Sequence, residues 1–170
     1  MATSDDICAT MDALGLRFTR RDDGRVQTGF AGRNTDYTLF LEADGPLVSV
    51  VAPELARIPA SRMREAIELA NLLNASRLRW GNFWVHPTFR VLAFELAIIA
   101  PGELTSDHMG YALAAAHACD DYFPAFGQVI WAGVTAEEAV AALSQGRSDD
   151  TDDEPDVVED DDEVGFDEVV

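Results

Sequence analysis

The sequence predicts an α+β domain with an antiparallel sheet and helices packed on it. Two observations carry this: alternating apolar segments follow one another across short turns, and helical stretches flank these groups of strands where a parallel sheet would interleave them. A third sets the scale. At 170 residues and 48% hydrophobic composition, the chain can bury one sizeable core.

Thr3 and Ser4 precede acids and then Ile7, Met11 and Leu14 at near-helical spacing, so a first helix runs until Gly15 stops it. Phe18 to Arg21, the turn Asp22-Asp23-Gly24 and the alternation of Val26, Thr28 and Phe30 predict a hairpin with one buried face. Tyr37, Leu39 and Leu41 alternate with Thr38 and Glu42 up to Asp44-Gly45-Pro46, and Leu47 to Ala52 returns as the next strand. Pro53 and Pro59 are expected to punctuate its exit. Met63, Ala66, Ile67, Ala70 and Leu73 then form one helical stripe, leaving Arg62, Arg64, Glu65 and Glu68 outside.

Gly81 to His86 begins a second hairpin, turned at Pro87 to Phe89 into the apolar run Val91 to Ala100. Its only charge is Glu95, which predicts a central strand covered along most of its length. Thr105 or Ser106 caps a long helix with the stripe Met109, Leu113, Ala116, Phe123, Phe126 and Ile130. Pro124 should kink or break it near Asp120 to Ala125. Gly133 closes it, and Thr135-Ala136-Glu137-Glu138 matches a capping box before a last short helix ending near Gly146.

Charge divides the chain. Residues 148 to 170 hold thirteen acids and no base, whereas residues 1 to 147 carry 18 acids against all 12 arginines, a net of −6. The expected organisation is a mildly acidic domain over 1–147 and a disordered acidic tail over 148–170, where repulsion and scarce apolar surface oppose ordering. Neither part has a phosphate-gripping basic footprint, so no direct nucleic-acid binding is expected. Every basic residue is Arg, which excludes P-loop and Schiff-base lysine chemistry. With no basic, apolar leader and no long uncharged apolar window, the expectation is a soluble cytoplasmic protein with no membrane association. Cys8 and Cys119 fit that compartment as reduced, helix-borne thiols, although spacing alone leaves a bridge between them open.

The stretch Gly81-Asn82-Phe83 after a helix, the strand Val91 to Ala100, the Gly102 to Asp107 turn and Asp121-Tyr122-Phe123-Pro124-Ala125-Phe126 followed by Thr135-Ala136-Glu137-Glu138-Ala139 resemble the YbjN family. Leu14-Gly15-Leu16 and the strand around Gly29-Phe30 extend the match to roughly residues 5 to 145; its specificity lies in the joint order of the pieces. The resemblance implies a bacterial sensory transduction regulator with a type III secretion chaperone-like fold, often dimeric, that binds protein partners and has no known catalytic residues. It does not extend to the acidic tail.

His117 and Asp121 are one helical turn apart, spaced to share a cation, but a helix pair supplies only two of the three or four ligands zinc needs, and His86 and His108 would have to come from elsewhere. Neither cysteine sits in a Gly-rich turn, no serine has a nucleophile elbow, and Gly29 and Gly32 do not complete a dinucleotide fingerprint. Gly29 reads as a bulge or a close backbone approach, and the pairs Asp120–Asp121 and Glu137–Glu138 read as helix-end charge or solvation.

No catalytic residue, metal site or cofactor is assigned. Trp80, Trp84, Tyr122, Phe123, Phe126 and Trp131 are core or dimer-interface residues, or else an aromatic surface for an apolar partner segment. Arg17, Arg20, Arg21, Arg25 and Arg33 cluster on the first hairpin and its exits as a cationic face that the tail can visit, the alternative being a solvated face partly paired with Asp22 and Asp23. Val164, Phe166, Val169 and Val170 interleave apolar anchors with the tail's acids, in the pattern of a docking motif or of simple solubilisation. The resulting reading is a non-catalytic, homodimeric protein-interaction module with a regulatory or stress-response role. Two alternatives stand beside it: an accessory of nucleic-acid metabolism whose tail acts on a DNA-binding protein, and a small metal enzyme centred on His117 and Asp121.

Overall fold

The computed structural model describes residues 1–145. Helix α1 (Ser4–Ala13) opens with a reciprocal capping box between Thr3 and Asp6 and ends before Gly15, whose φ of 67° suits a residue without Cβ. Strands β1 (Thr19–Arg20), β2 (Val26–Ala31), β3 (Asp36–Asp44) and β4 (Leu47–Arg57) follow as a meander. A 3₁₀ turn (Ala60–Arg62) leads into α2 (Met63–Ser76), and the hairpin β5 (Asn82–His86) and β6 (Val91–Ile99) completes the sheet. The strand order is β1-β2-β3-β4-β6-β5, antiparallel throughout. The fold is thus the predicted α+β arrangement.

The second helical region is more broken than the sequence suggested. Helix α3 (Ser106–Ala116), capped by Thr105, stops at His117; α4 (Ala118–Asp121) ends at Tyr122; α5 (Phe123–Gly127) carries Pro124 in its first turn, where a missing N–H costs nothing. A π-helical turn (Gln128–Ala132) runs to Gly133, with φ 78°, and α6 (Ala136–Gln145) begins with the expected Thr135–Glu138 capping box.

One sheet face carries the core. Val26, Leu39, Leu41, Val48, Val50, Phe94 and Leu96 are buried from the strands, and α1, α2, α3 and the α4–α5 segment close over them. Phe83, Phe94 and Phe126 meet edge to face, with centroids 5.2 Å (Phe83–Phe94) and 5.0 Å (Phe83–Phe126) apart. Gly81, with φ 74°, admits this packing, because a Cβ there would overlap the Phe94 ring.

Three expectations are corrected. Strand β4 does not end at Pro53; it runs to Arg57 through a register shift between Ala52 and Ala56, where a residue without an amide proton is tolerated. The α2 stripe is rotated: Leu69 is buried and Ile67 is 41% exposed, because α2 packs against α6 as well as β5. Arg62 and Glu65 belong to that contact and not to the solvated face. The Arg62 guanidinium donates to the carbonyls of Val129 and Val134, each at 2.7 Å, and Glu65 accepts from the Ala136 N–H at 3.2 Å. Strand β6 is buried on both faces only from Val91 to Phe94; further on, Ala97 and Ile99 are exposed. The proposed 147/148 boundary and the acidic tail lie outside the described residues.

Candidate functional site

The second sheet face has no helix over it among the described residues. Alternation assigns it residues from every long strand: Gln27 and Gly29 from β2, Thr38 and Phe40 from β3, Ser49 and Val51 from β4, Glu95 and Ala97 from β6. Two-residue β1 offers little edge for pairing. On the β5 edge, the Asn74 side chain donates to the Phe83 carbonyl at 2.8 Å and accepts the Phe83 N–H at 2.9 Å, occupying the backbone groups that an added strand would use. The face is therefore the sheet's main unpartnered surface.

A groove of about 880 Å³ is cut into it, walled by β3 and the far half of β4. Its origin is local. Pairing of β3 with β4 stops at Phe40↔Val51, next to Pro53, and the bulge Pro53 to Leu55, which stands against Ala93 alone on β6, bends β4 away. Gly29, Ala31 and Thr38 keep the floor low, and Phe40 and Leu55 supply apolar surface. At the margins Arg57 pairs with Glu54 at 2.8 Å, and the Arg25 guanidinium carbon lies 5.1 Å from the Phe40 ring centroid. On the β5 side, Trp84 opposes the fully buried Ala93, and Trp84, His86 and the exposed Phe89 form a chain of rings with centroids 5.9 and 4.5 Å apart.

A second cleft, of about 420 Å³, lies between the β2–β3 loop, α4–α5 and α6. Asp120 anchors the loop that carries Arg33 into one wall. Its carboxylate accepts the N–H groups of Arg33 (2.9 Å), Asn34 (2.7 Å) and Thr35 (2.8 Å), and its carbonyl accepts the Asn34 side-chain amide at 3.1 Å. Burial pushes this carboxyl up, but the three N–H groups and the neighbouring His117 outweigh it, holding the group below its ordinary value of 3.8. Gly32 is the close approach here, since a Cβ would overlap the Asp120 carboxylate; Gly29 has no such neighbour. Asp120 is thus a loop anchor and not the solvated charge expected of it, whereas Asp121 is exposed.

The five arginines of the first hairpin are not gathered on one face. Arg20 opposes Val26 on the helix-covered side and pairs with Asp5 of α1. Arg25 pairs with Asp23 at 2.5 Å and lies over Phe40 on the other side. Arg21 reaches Gln27 at 3.2 Å, Arg17 gives its carbonyl to Thr28 at 2.8 Å, and Arg33 lines the second cleft together with Arg77.

The six aromatics divide as well. Phe126 and Tyr122 are buried against Phe83, which takes them out of reach of a partner, and Trp84 is half-buried. Trp131 (62% exposed) tilts against Phe123, and Trp80 (55%) meets Tyr111 (56%) at 5.5 Å. Tyr111 and Phe89 escaped the sequence reading because each lies outside the apolar stripes.

His117 Nδ1 lies 3.3 Å from the Tyr37 hydroxyl, against the edge of Phe30, and no group of three or more His, Cys, Asp or Glu is placed to hold a metal among the described residues. His86 is on β5 and His108 in the α3 cap. Both cysteines are free thiols; Cys119 is fully buried, and burial drives its pKa up to about 12. Burial also pushes the Tyr37 hydroxyl up to about 12. Among the described residues no helix is long and apolar enough to cross a membrane.

No curated protein matches the chain. The crystal structure of YbjN from E. coli, described as "a putative transcription regulator", superposes with a TM-score of 0.53 at 10% identity, covering 87% of this chain and 93% of that one. At that identity the likeness speaks for the fold alone. Residues 3–128 also match the model of the YbjN family, described as "Putative bacterial sensory transduction regulator". Since the matched stretch takes in the whole sheet and the helices up to α5, this chain belongs to the YbjN family.

Proposed function

We propose that the protein is a non-catalytic, cytoplasmic regulatory module that binds a protein partner through the open sheet face, with the β3–β4 groove taking an extended segment. The observation that carries this reading is the uncovered face of a sheet whose two edges offer little to pair with. An extended peptide suits a groove between diverging strands, where small residues on the floor leave space for alternate side chains. Charge on the face is mixed: Glu42 and Glu95 stand beside Arg25 over Phe40 and the Glu54–Arg57 pair, without the basic footprint that gripping phosphates needs. The family's regulator description is consistent with a binding role and names no chemistry.

Affinity capture from the native cytoplasm tests it, comparing wild type with a Thr38→Arg/Ala97→Arg variant and reading both by mass spectrometry. A partner recovered by wild type and lost from the variant supports the reading; identical recoveries contradict it. Light scattering on the same samples tests homodimerisation, for which the exposed Trp80–Tyr111 and Phe123–Trp131 pairs are the proposed contact surfaces.

A further inference from the structure

We propose that the cleft between Arg33 and Arg77 is an internal docking site for the chain's own acidic segment, Asp149 to Asp153. The inference is independent of what the open sheet face binds. It begins from where the described residues end. Ala139, Ala142 and Leu143 of α6 form one wall of the cleft, and Arg77 of the α2 C-terminus donates to the Ser144 hydroxyl in the last turn of α6. Arg77 thus sits where residue 145 hands over to the rest of the sequence, and Arg33 lines the same cleft. Asp149, Asp150, Asp152 and Asp153 follow within eight residues, with no base among them. At about 3.3 Å per extended residue, the first of them reaches roughly 13 Å from the helix end, enough to span a cleft of this size.

Charge and geometry agree. Neither Arg33 nor Arg77 has an ion-pair partner among the described residues, whereas Arg20, Arg25 and Arg57 each do. Asp121 lines the same cleft and offsets part of the positive charge, so a single carboxylate is a weak occupant and a run of four is a better one. The backbone that carries Arg33 is also held in place: Asp120 accepts the N–H groups of Arg33, Asn34 and Thr35, so the ordering left to do when an anion arrives is that of the side chain. Tethering does the rest, since a short linker presents the acids at an effective concentration on the order of millimolar. Gln128 supplies a further polar group on the cleft wall.

The experiment uses the full chain with Cys8→Ser and Thr151→Cys, spin-labelled at position 151; buried Cys119 remains unlabelled. Backbone amides of Asn34, Thr35 and Gln128, all remote in sequence from the label, report proximity through paramagnetic loss of intensity. The expected result is loss at about 20 mM salt that falls by at least about half at 500 mM, as screened charges require. It should fall equally in Arg33→Gln/Arg77→Gln and in a variant with the four aspartates changed to Asn, which leaves residues 1–145 untouched. Loss unchanged in both variants, or absent in the parent at low salt, overturns the proposal. So does loss of the same size when the label and the isotope are on different copies, which would make the occupant a second chain's segment.

Discussion

Asn34 donates twice to Asp120, through its backbone N–H to the carboxylate at 2.7 Å and through its side-chain amide to the carbonyl at 3.1 Å, across 86 residues of sequence. The contact joins the β2–β3 loop to the broken helical region, and the N–H groups of Arg33 and Thr35 add to it. One carboxylate therefore fixes the loop that forms a wall of the arginine cleft.

Replacing Asp120 with Asn removes the charge and turns one oxygen into a donor that faces N–H groups. The expected cost at neutral pH is about 1–3 kcal/mol in urea unfolding. Asp121→Asn, at an exposed position, should stay within about 0.5 kcal/mol. The sign of the pH dependence follows from a folded pKa held below 3.8: the carboxylate's contribution is complete above the unfolded value and is lost as pH falls through the lower, folded one. The gap between wild type and Asp120→Asn should therefore be widest near neutrality and close as pH drops below about 3.8.

Asn74 protects an edge. Asn74→Leu leaves the N–H and carbonyl of Phe83 without their partner on the outer side of β5. A loss of about 1–3 kcal/mol is expected, together with concentration-dependent association seen by light scattering, because the bared edge can pair with another copy.

Arg62→Met keeps the side chain's length and removes both hydrogen bonds to the carbonyls of Val129 and Val134. These carbonyls belong to the π-helical turn and the α6 entrance, so the expected loss of about 1–3 kcal/mol should appear with faster amide exchange in α6, while exchange in the sheet stays slow.

The two thiols should react very differently. Burial raises both pKa values, but Cys8 is only partly buried whereas Cys119 is enclosed and pushed to about 12. A thiol reagent at pH 8 should modify one equivalent in native protein and a second only on unfolding. Prompt modification of both would contradict the buried position of Cys119.

Much of the fold was legible because local signals and tertiary packing agree. Thr135 caps its helix as its spacing predicts, Thr105 is the cap of the two candidates Thr105 and Ser106, and Val26, Leu39, Leu41 and Val48 are buried in the alternation of their strands. What escaped depended on residues far apart in sequence. Asp120 and Asp121 are chemically identical neighbours, and only the arrival of the loop at Arg33 to Thr35 separates an anchor from a surface charge. The groove was hidden for the same reason: Pro53 reads as a strand end, while β6 pairing beyond it carries β4 on to Arg57 and opens the gap beside β3.

The central claim is that the uncovered sheet face is where this protein meets its partner. The most direct measurement is the dissociation constant of the purified, recovered partner for wild type and for Thr38→Arg/Ala97→Arg, by titration calorimetry with stability matched by thermal melts. Weakening of at least about tenfold by the two arginines is predicted. Equal affinity for both proteins would contradict the account.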